Sequence, residues 1–371
     1  MHDHKNNLFT QGGQMQNFFA KKLRELLILS FACAAFTVQA DEWQAERYPW
    51  DMRPFFCSYK KNVETELCKA DNWPSYEVTR ERLRSLRWTG RFALLERALT
   101  ELATSEELLP NGFNKATAVH WTLEELVQDH RRAAIIGGDP LALWKSVVPQ
   151  SKFLLLTDAM LLHRRAWELR GGAASTVLPE SGELFALRLG DAEKKLMQAP
   201  PSLKDTAVWH LILLKIAIEG RGVESDPQTV FLNAVKRWPK SADFYMEMIS
   251  YLSPVRGGSW AAVEAFIDHS SRQLESTEGM SFYARLYASI GNEVTRGQTA
   301  MDWVKMRRGF DDWIARDSRA SVKNLYASYA CFARDKSTFG KAIGQILKQE
   351  LLPGQWLAGH SYEACARWAG I

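Results

Sequence analysis

The chain has no HExxH zinc-peptidase pair, no GxSxG nucleophile elbow, no GxxxxGKS or GxxxxGKT phosphate loop and no GxGxxG dinucleotide turn. Each absence removes a common route to catalysis, and together they weigh against an enzyme. Excess charge of one sign is missing too. Its 47 Lys and Arg against 43 Asp and Glu leave +4, spread evenly, so there is no basic stripe for a phosphate backbone and nucleic acid is not an expected partner. Alternation of apolar and polar residues over a useful length is absent, which excludes a sheet-based fold. No apolar run reaches the roughly 20 residues of a membrane span. Cysteine is sparse, at 5 residues in 371, and lacks the close CxxC pairs of a four-cysteine zinc site, so neither metal nor cofactor is expected.

What is present begins with a targeting pattern. Lys21, Lys22 and Arg24 precede LLILSFACAAF from Leu26 to Phe36, and Val38-Gln39-Ala40 places small residues before Asp41. Residues 1–40 therefore read as a secretory signal, with Met15 as an alternative start. Cleavage would leave a periplasmic protein with no membrane span, and an uncleaved signal would leave a membrane anchor. The mature chain would keep Cys57, Cys68, Cys331 and Cys365, an even number suited to disulfides in an oxidising compartment. Three connectivities are open, and loop closure favours Cys57 with Cys68 and Cys331 with Cys365. Residues 41–74 read as an irregular aromatic arm, with Trp43, Tyr48, Trp50, Phe55, Phe56 and Trp73 set among prolines that block long helices.

From residue 75 onward the pattern is helical, and every break carries a capping signal. Asp139-Pro140 opens LALWKSVV, and Ser151 opens the helix that ends at Gly171-Gly172. These two read as a pair. Further helices span Glu183 to Gln198, Thr206 to Glu219 and Asp226 to Trp238. Ser241 reads as the N-cap of a helix that Pro254 ends, and Ser259 as the cap of the next. FYARLYASIG, MDWVKMRRGFDDWIA, VKNLYASYACFA and FGKAIGQILKQ continue the series, with Trp260, Phe266, Trp303 and Phe310 expected between layers. The predicted fold is all-α: stacked antiparallel helix pairs in a right-handed, tetratricopeptide-like solenoid over residues 75–371. HRRA recurs at His130 and at His163, 33 residues apart and close to that repeat length.

Pro254-Val255-Arg256-Gly257-Gly258-Ser259 lies between Trp238-Pro239, Ser241 and Tyr245 on one side and Tyr283 to Tyr287, Trp303, Ala330-Cys331, Asp335, Cys365 and Trp368 on the other. With Arg91 to Leu102 upstream, this set resembles the bacterial domain of unknown function 4034 family. The resemblance implies a helical-repeat-like fold and carries no activity. Val255 and Arg256 stand where the family has Arg and Trp, so the resemblance keeps the turn and leaves open any shared ligand contact.

Candidate chemistry is thin. His360, Glu363 and Cys365 suggest a thiol or metal corner, but a half-cystine in a closing helix is the simpler reading. His163, Arg164 and Arg165 beside Trp167 are expected to point apart on a helix. Asp302, Asp311 and Asp312 among Trp303 and Trp313 suggest paired carboxylates, though that spacing is also a core stripe. The corner residues Arg256, Gly257, Gly258 and Trp260 form the candidate binding site, Arg256 holding either a partner's carboxylate or the carbonyls of a preceding helix. The expected function is a non-enzymatic scaffold for a protein or peptide partner, as an adaptor or an immunity-like binder. The alternative is a hydrolase or glycan-processing enzyme with its site assembled from distant helices.

Overall fold

The computed structural model describes residues 76–109, 112–136, 138–170 and 179–371. The signal segment, the aromatic arm, Cys57 and Cys68 lie outside the described residues. Among those residues the fold is all-helical, with one isolated bridge between Leu108 and Asn114 in place of any strand. The helices are α1 (Tyr76–Trp88), α2 (Phe92–Thr104), α3 (Lys115–Arg131), α4 (Ala133–Ile136), α5 (Pro140–Val147), α6 (Phe153–Arg170), α7 (Pro179–Met197), α8 (Pro201–Lys204) and α9 (Ala207–Ala217). They continue as α10 (Pro227–Arg237), α11 (Ala242–Leu252), α12 (Trp260–Glu278), α13 (Ser281–Ser289), α14 (Gly291–Thr295), α15 (Trp303–Ile314), α16 (Ala320–Phe332), α17 (Lys336–Ile343) and α18 (Tyr362–Ala369).

Local chemistry sets the boundaries. Asp139 accepts from the amides of Leu141 (3.0 Å) and Ala142 (3.2 Å), Asp226 from Thr229 (2.8 Å), Ser259 from Ala262 (3.1 Å) and Asp302 from Val304 (2.8 Å). Each satisfies a donor that the first helical turn would otherwise leave open. Ser241 departs from this rule. It precedes α11, but its hydroxyl donates to Asp243 (3.0 Å) instead of accepting from the helix. Asp243 in turn crosses to the start of α3, accepting from Thr117 Oγ1 (2.7 Å) and the Asn114 amide (3.3 Å).

α9 organises the first half of the fold. Its sequence AVWHLILLKIA is apolar all round, and such a helix is stable only when surrounded. α3, α6, α7, α10 and α11 surround it. Most other helices pack on the next one or two in the chain. The pairing of α5 with the helix that follows does not hold. α6 packs along α7 and α3, while the short α5 has only Leu141 and Trp144 to bury and lies on α3 and α2, with Trp144 stacked 6.3 Å from Phe92.

Phe310 is fully buried, as are Val263 and Ile267 on α12, but Trp260, Phe266 and Trp303 are only half-buried. For Trp303 the reason is its indole N–H, which donates to Asp335 (3.1 Å) and holds the ring at the layer edge. α17 ends at Ile343 instead of running on to Gln349, and a 3₁₀ turn at Lys348–Glu350 follows. Cys331 on α16 and Cys365 on α18 are at disulfide distance, their Cα atoms 5.8 Å apart. No helix among the described residues is long and apolar enough to cross a membrane.

Candidate functional site

Four helices and the corner after α11 surround a cleft of about 360 Å³, within the size range of small-ligand pockets. Every helix contributes side chains three or four residues apart, the spacing that puts them on one face. α3 supplies His120 and Glu124, α6 supplies His163 and Trp167, α9 and the turn that follows it supply Lys215 and Glu219, and α11 supplies Glu247 and Ser250. Arg256 closes one side.

Lys215 is the one charged residue of α9, and it points from the core to the cleft wall, where its ammonium donates to Glu247 (2.6 Å). Burial alone would lower its pKa, but the carboxylate of Glu247 outweighs it and the net shift is upward. Arg256 meets Glu219 fork to fork: Nη1 donates to Oε2 (2.7 Å) and Nη2 to Oε1 (3.0 Å), with further donation to the Ile218 carbonyl (3.4 Å) and Ser250 Oγ (3.4 Å). Burial pushes Glu219 up, yet His163 and Arg256 beside it hold it below the ordinary carboxylate range. His163 Nε2 stands 3.6 Å from Glu219 Oε1, too far for a hydrogen bond.

Arg256 therefore holds a carboxylate bidentately and caps the end of α9, and both partners belong to its own chain. The other corner residues play different parts. Gly257 has φ 88°, the left-handed region, and a methyl on Gly258 would run into the Leu252 carbonyl, so both shape the turn. Trp260 faces away from the cleft and lines a second, shallower groove with Val255, which is 91% exposed.

The remaining candidates separate. His163 and Arg164 both reach the cleft with Trp167, while Arg165 does not line it. In contrast, His130 lies in the last turn of α3 and meets Asp139 (2.8 Å), so the two HRRA segments occupy different positions on their helices. Asp302 caps α15, Asp311 accepts from the Tyr326 hydroxyl (2.9 Å) and Asp312 from the Met280 amide (2.7 Å), so each carboxylate has its own structural partner. Cys365 is paired with Cys331, Glu363 is exposed, and His360 lies edge-on to Phe332, 5.7 Å away. Among the described residues no cluster of three His, Cys, Asp or Glu is placed to hold a metal ion.

His120 is the buried group of the cleft. Only 4% of it is exposed, and its Nδ1 has no hydrogen-bond partner. Burial, with the charges of Lys215 and His163 nearby, lowers its pKa well below 6.5, so the ring is neutral. The sign of the linkage follows. Below about pH 6.5 the unfolded chain takes a proton on this ring and the folded chain does not, so stability falls on acidification. Asp243 acts oppositely, since burial raises it to about 6 and its contribution is lost as pH rises through that value. Replacing His120 with Gln isolates the first effect: the variant should lose less thermal stability than the parent between about pH 6.5 and 5, the difference approaching 1.4 kcal/mol per pH unit. Parallel pH curves for the two proteins would show that His120 titrates as in water.

Comparison with family models, with curated proteins and with solved structures found no match to this chain.

Proposed function

We propose that this chain is a non-enzymatic binding scaffold, exported to the periplasm, whose cleft between α3, α6, α9 and α11 receives a peptide segment of a partner. One observation carries the reading: charged, polar and apolar side chains from four helices converge on a cleft in which the acids Glu219 and Glu247 are already held by Arg256 and Lys215. A wall of neutralised pairs around apolar Met160 and Ile212 suits recognition, because its charges orient a ligand without having to be freed for chemistry. In this reading the helix pairs stack as a tetratricopeptide-like solenoid, the signal segment directs export, and the Cys331–Cys365 pair fits an oxidising compartment.

A hydrolytic reading has one observation in its favour, the His163–Glu219 approach. It requires Glu219 as a free base, and Arg256 engages both of its oxygens.

Panning a random peptide library against the full chain tests the proposal. Enriched peptides should compete with one another and lose about tenfold or more in affinity for Arg164→Glu, a change at an exposed position on the cleft rim. Enriched peptides indifferent to that substitution would place recognition elsewhere, and no enrichment at all would sink the scaffold reading.

A further inference from the structure

Resting on the cleft's role as a peptide site in that reading, with a free short peptide in place of a partner's segment, we propose that the cleft takes a short peptide with free ends, its carboxylate held by Arg164, its ammonium by Glu124 and one backbone group against His120. The charge inventory leads there. The cleft holds Glu124, Glu219 and Glu247 against Arg164, Lys215 and Arg256. Two pairs close internally, Glu219 with Arg256 and Glu247 with Lys215. Arg164 and Glu124 are left: among the described residues neither forms an ion pair or hydrogen bond, although Glu124 lies near enough to Lys215 to help hold its ammonium charged. One fixed charge of each sign is thus available to a ligand.

That remainder discriminates. A polyanion would be drawn to Arg164 but would face three carboxylates, and a polycation would face three cations. A ligand with one charge of each sign satisfies both open groups without disturbing the closed pairs. The buried imidazole adds a second, independent observation. His120 Nδ1 is enclosed without a partner, and Nε2, the ring nitrogen a ligand in the cleft can reach, makes no hydrogen bond within the chain. Through Nε2 a neutral imidazole offers a single donor or acceptor, by tautomer, to one backbone N–H or carbonyl of a peptide. The volume of about 360 Å³ lies near the lower end of small-ligand sites and holds a few residues, not a long segment. Met160 and Ile212 give the central side chain an apolar seat.

Calorimetric titration of the full chain with alanyl-leucyl-alanine, in free, N-acetylated, C-amidated and doubly capped forms, tests this. The free tripeptide should bind, and each cap should weaken it about tenfold. In Arg164→Gln the amide and the free acid should bind equally, and in Glu124→Gln the acetylated and free-amine forms should bind equally, because each substitution removes the group that reads that end. Equal binding of all four forms to the parent protein overturns the proposal, as does an amide penalty that persists in Arg164→Gln. If library-selected longer peptides bind at Arg164 while no free tripeptide does, the terminus assignment fails and the scaffold reading stands. If neither binds, both fail.

Discussion

Phe310→Ala should reduce the free energy of unfolding by about 3–5 kcal/mol, the cost of emptying a fully buried aromatic site. Phe310 is completely enclosed, with ring centroids 4.9 Å from Tyr326, 5.5 Å from Tyr329 and 5.8 Å from Trp313. It is the side chain that locks α15 to α16, so its loss opens a cavity at a helix interface whose other walls are rigid rings. A fall in melting temperature of about 5–15 °C is the expected reading. Trp303→Ala provides the contrast. Half-buried and bonded through its N–H to Asp335, Trp303 should cost about 1–3 kcal/mol, an exposed-edge packing loss plus one hydrogen bond. Equal losses in the two variants would show that the layer edge has been drawn in the wrong place.

Converting both Cys331 and Cys365 to Ser should cost about 3–4 kcal/mol, the chain-entropy value for a loop of this size. The separation is 34 residues, and α18 has only Cys365 and Ala366 buried, which is little apolar surface to hold a terminal helix. Arg334 and Lys336 add cation contacts 5.4 Å from the Trp368 ring, but exposed contacts of that kind are worth little. The double variant should therefore lose protection from hydrogen exchange at residues 357–371 well before the rest of the fold. Non-reducing peptide mapping of the parent should recover a linked 331–365 peptide. Two alkylatable thiols, or a double variant as stable as the parent, would refute the staple.

Helix boundaries were legible in the sequence because they follow from neighbours. Asp139, Asp226 and Ser259 each cap a helix through an amide two or three residues away, and Pro140 and Pro227 mark the first turn. Ser241 holds the N-cap position read from the sequence, but its hydroxyl donates to Asp243 and makes no cap hydrogen bond. Burial was legible for all-apolar Phe310 and less so for Trp303, whose N–H has to find an acceptor that periodicity cannot reveal. The cleft was not legible as a whole, since it joins residues from His120 to Arg256 that only tertiary packing brings together. One trace of it was present. Lys215 is a single charge in an otherwise apolar helix, and such a residue needs either a partner or water. The expectation that His163 and Arg164 diverge overlooked the width of the cleft, because neighbours about 100° apart on a helix can both reach a broad rim. Arg256 was singled out for its capacity to grip a carboxylate, and Glu219, 37 residues earlier and legible only as a helix end, is the one it grips.

The packing of most helices against their near neighbours has a kinetic consequence. Contacts of short sequence separation close small loops, so the individual helix pairs should form early and quickly. The exceptions join α3 to α11, two of the helices that frame the cleft. Asp243 reaches Thr117 across 126 residues, and the Ala242 amide meets the Gly112 carbonyl. These long closures bear the greatest entropic cost and come last. The cleft is then the final part of the molecule to be assembled, and the competence to bind a ligand should appear in refolding after the helical signal is already complete.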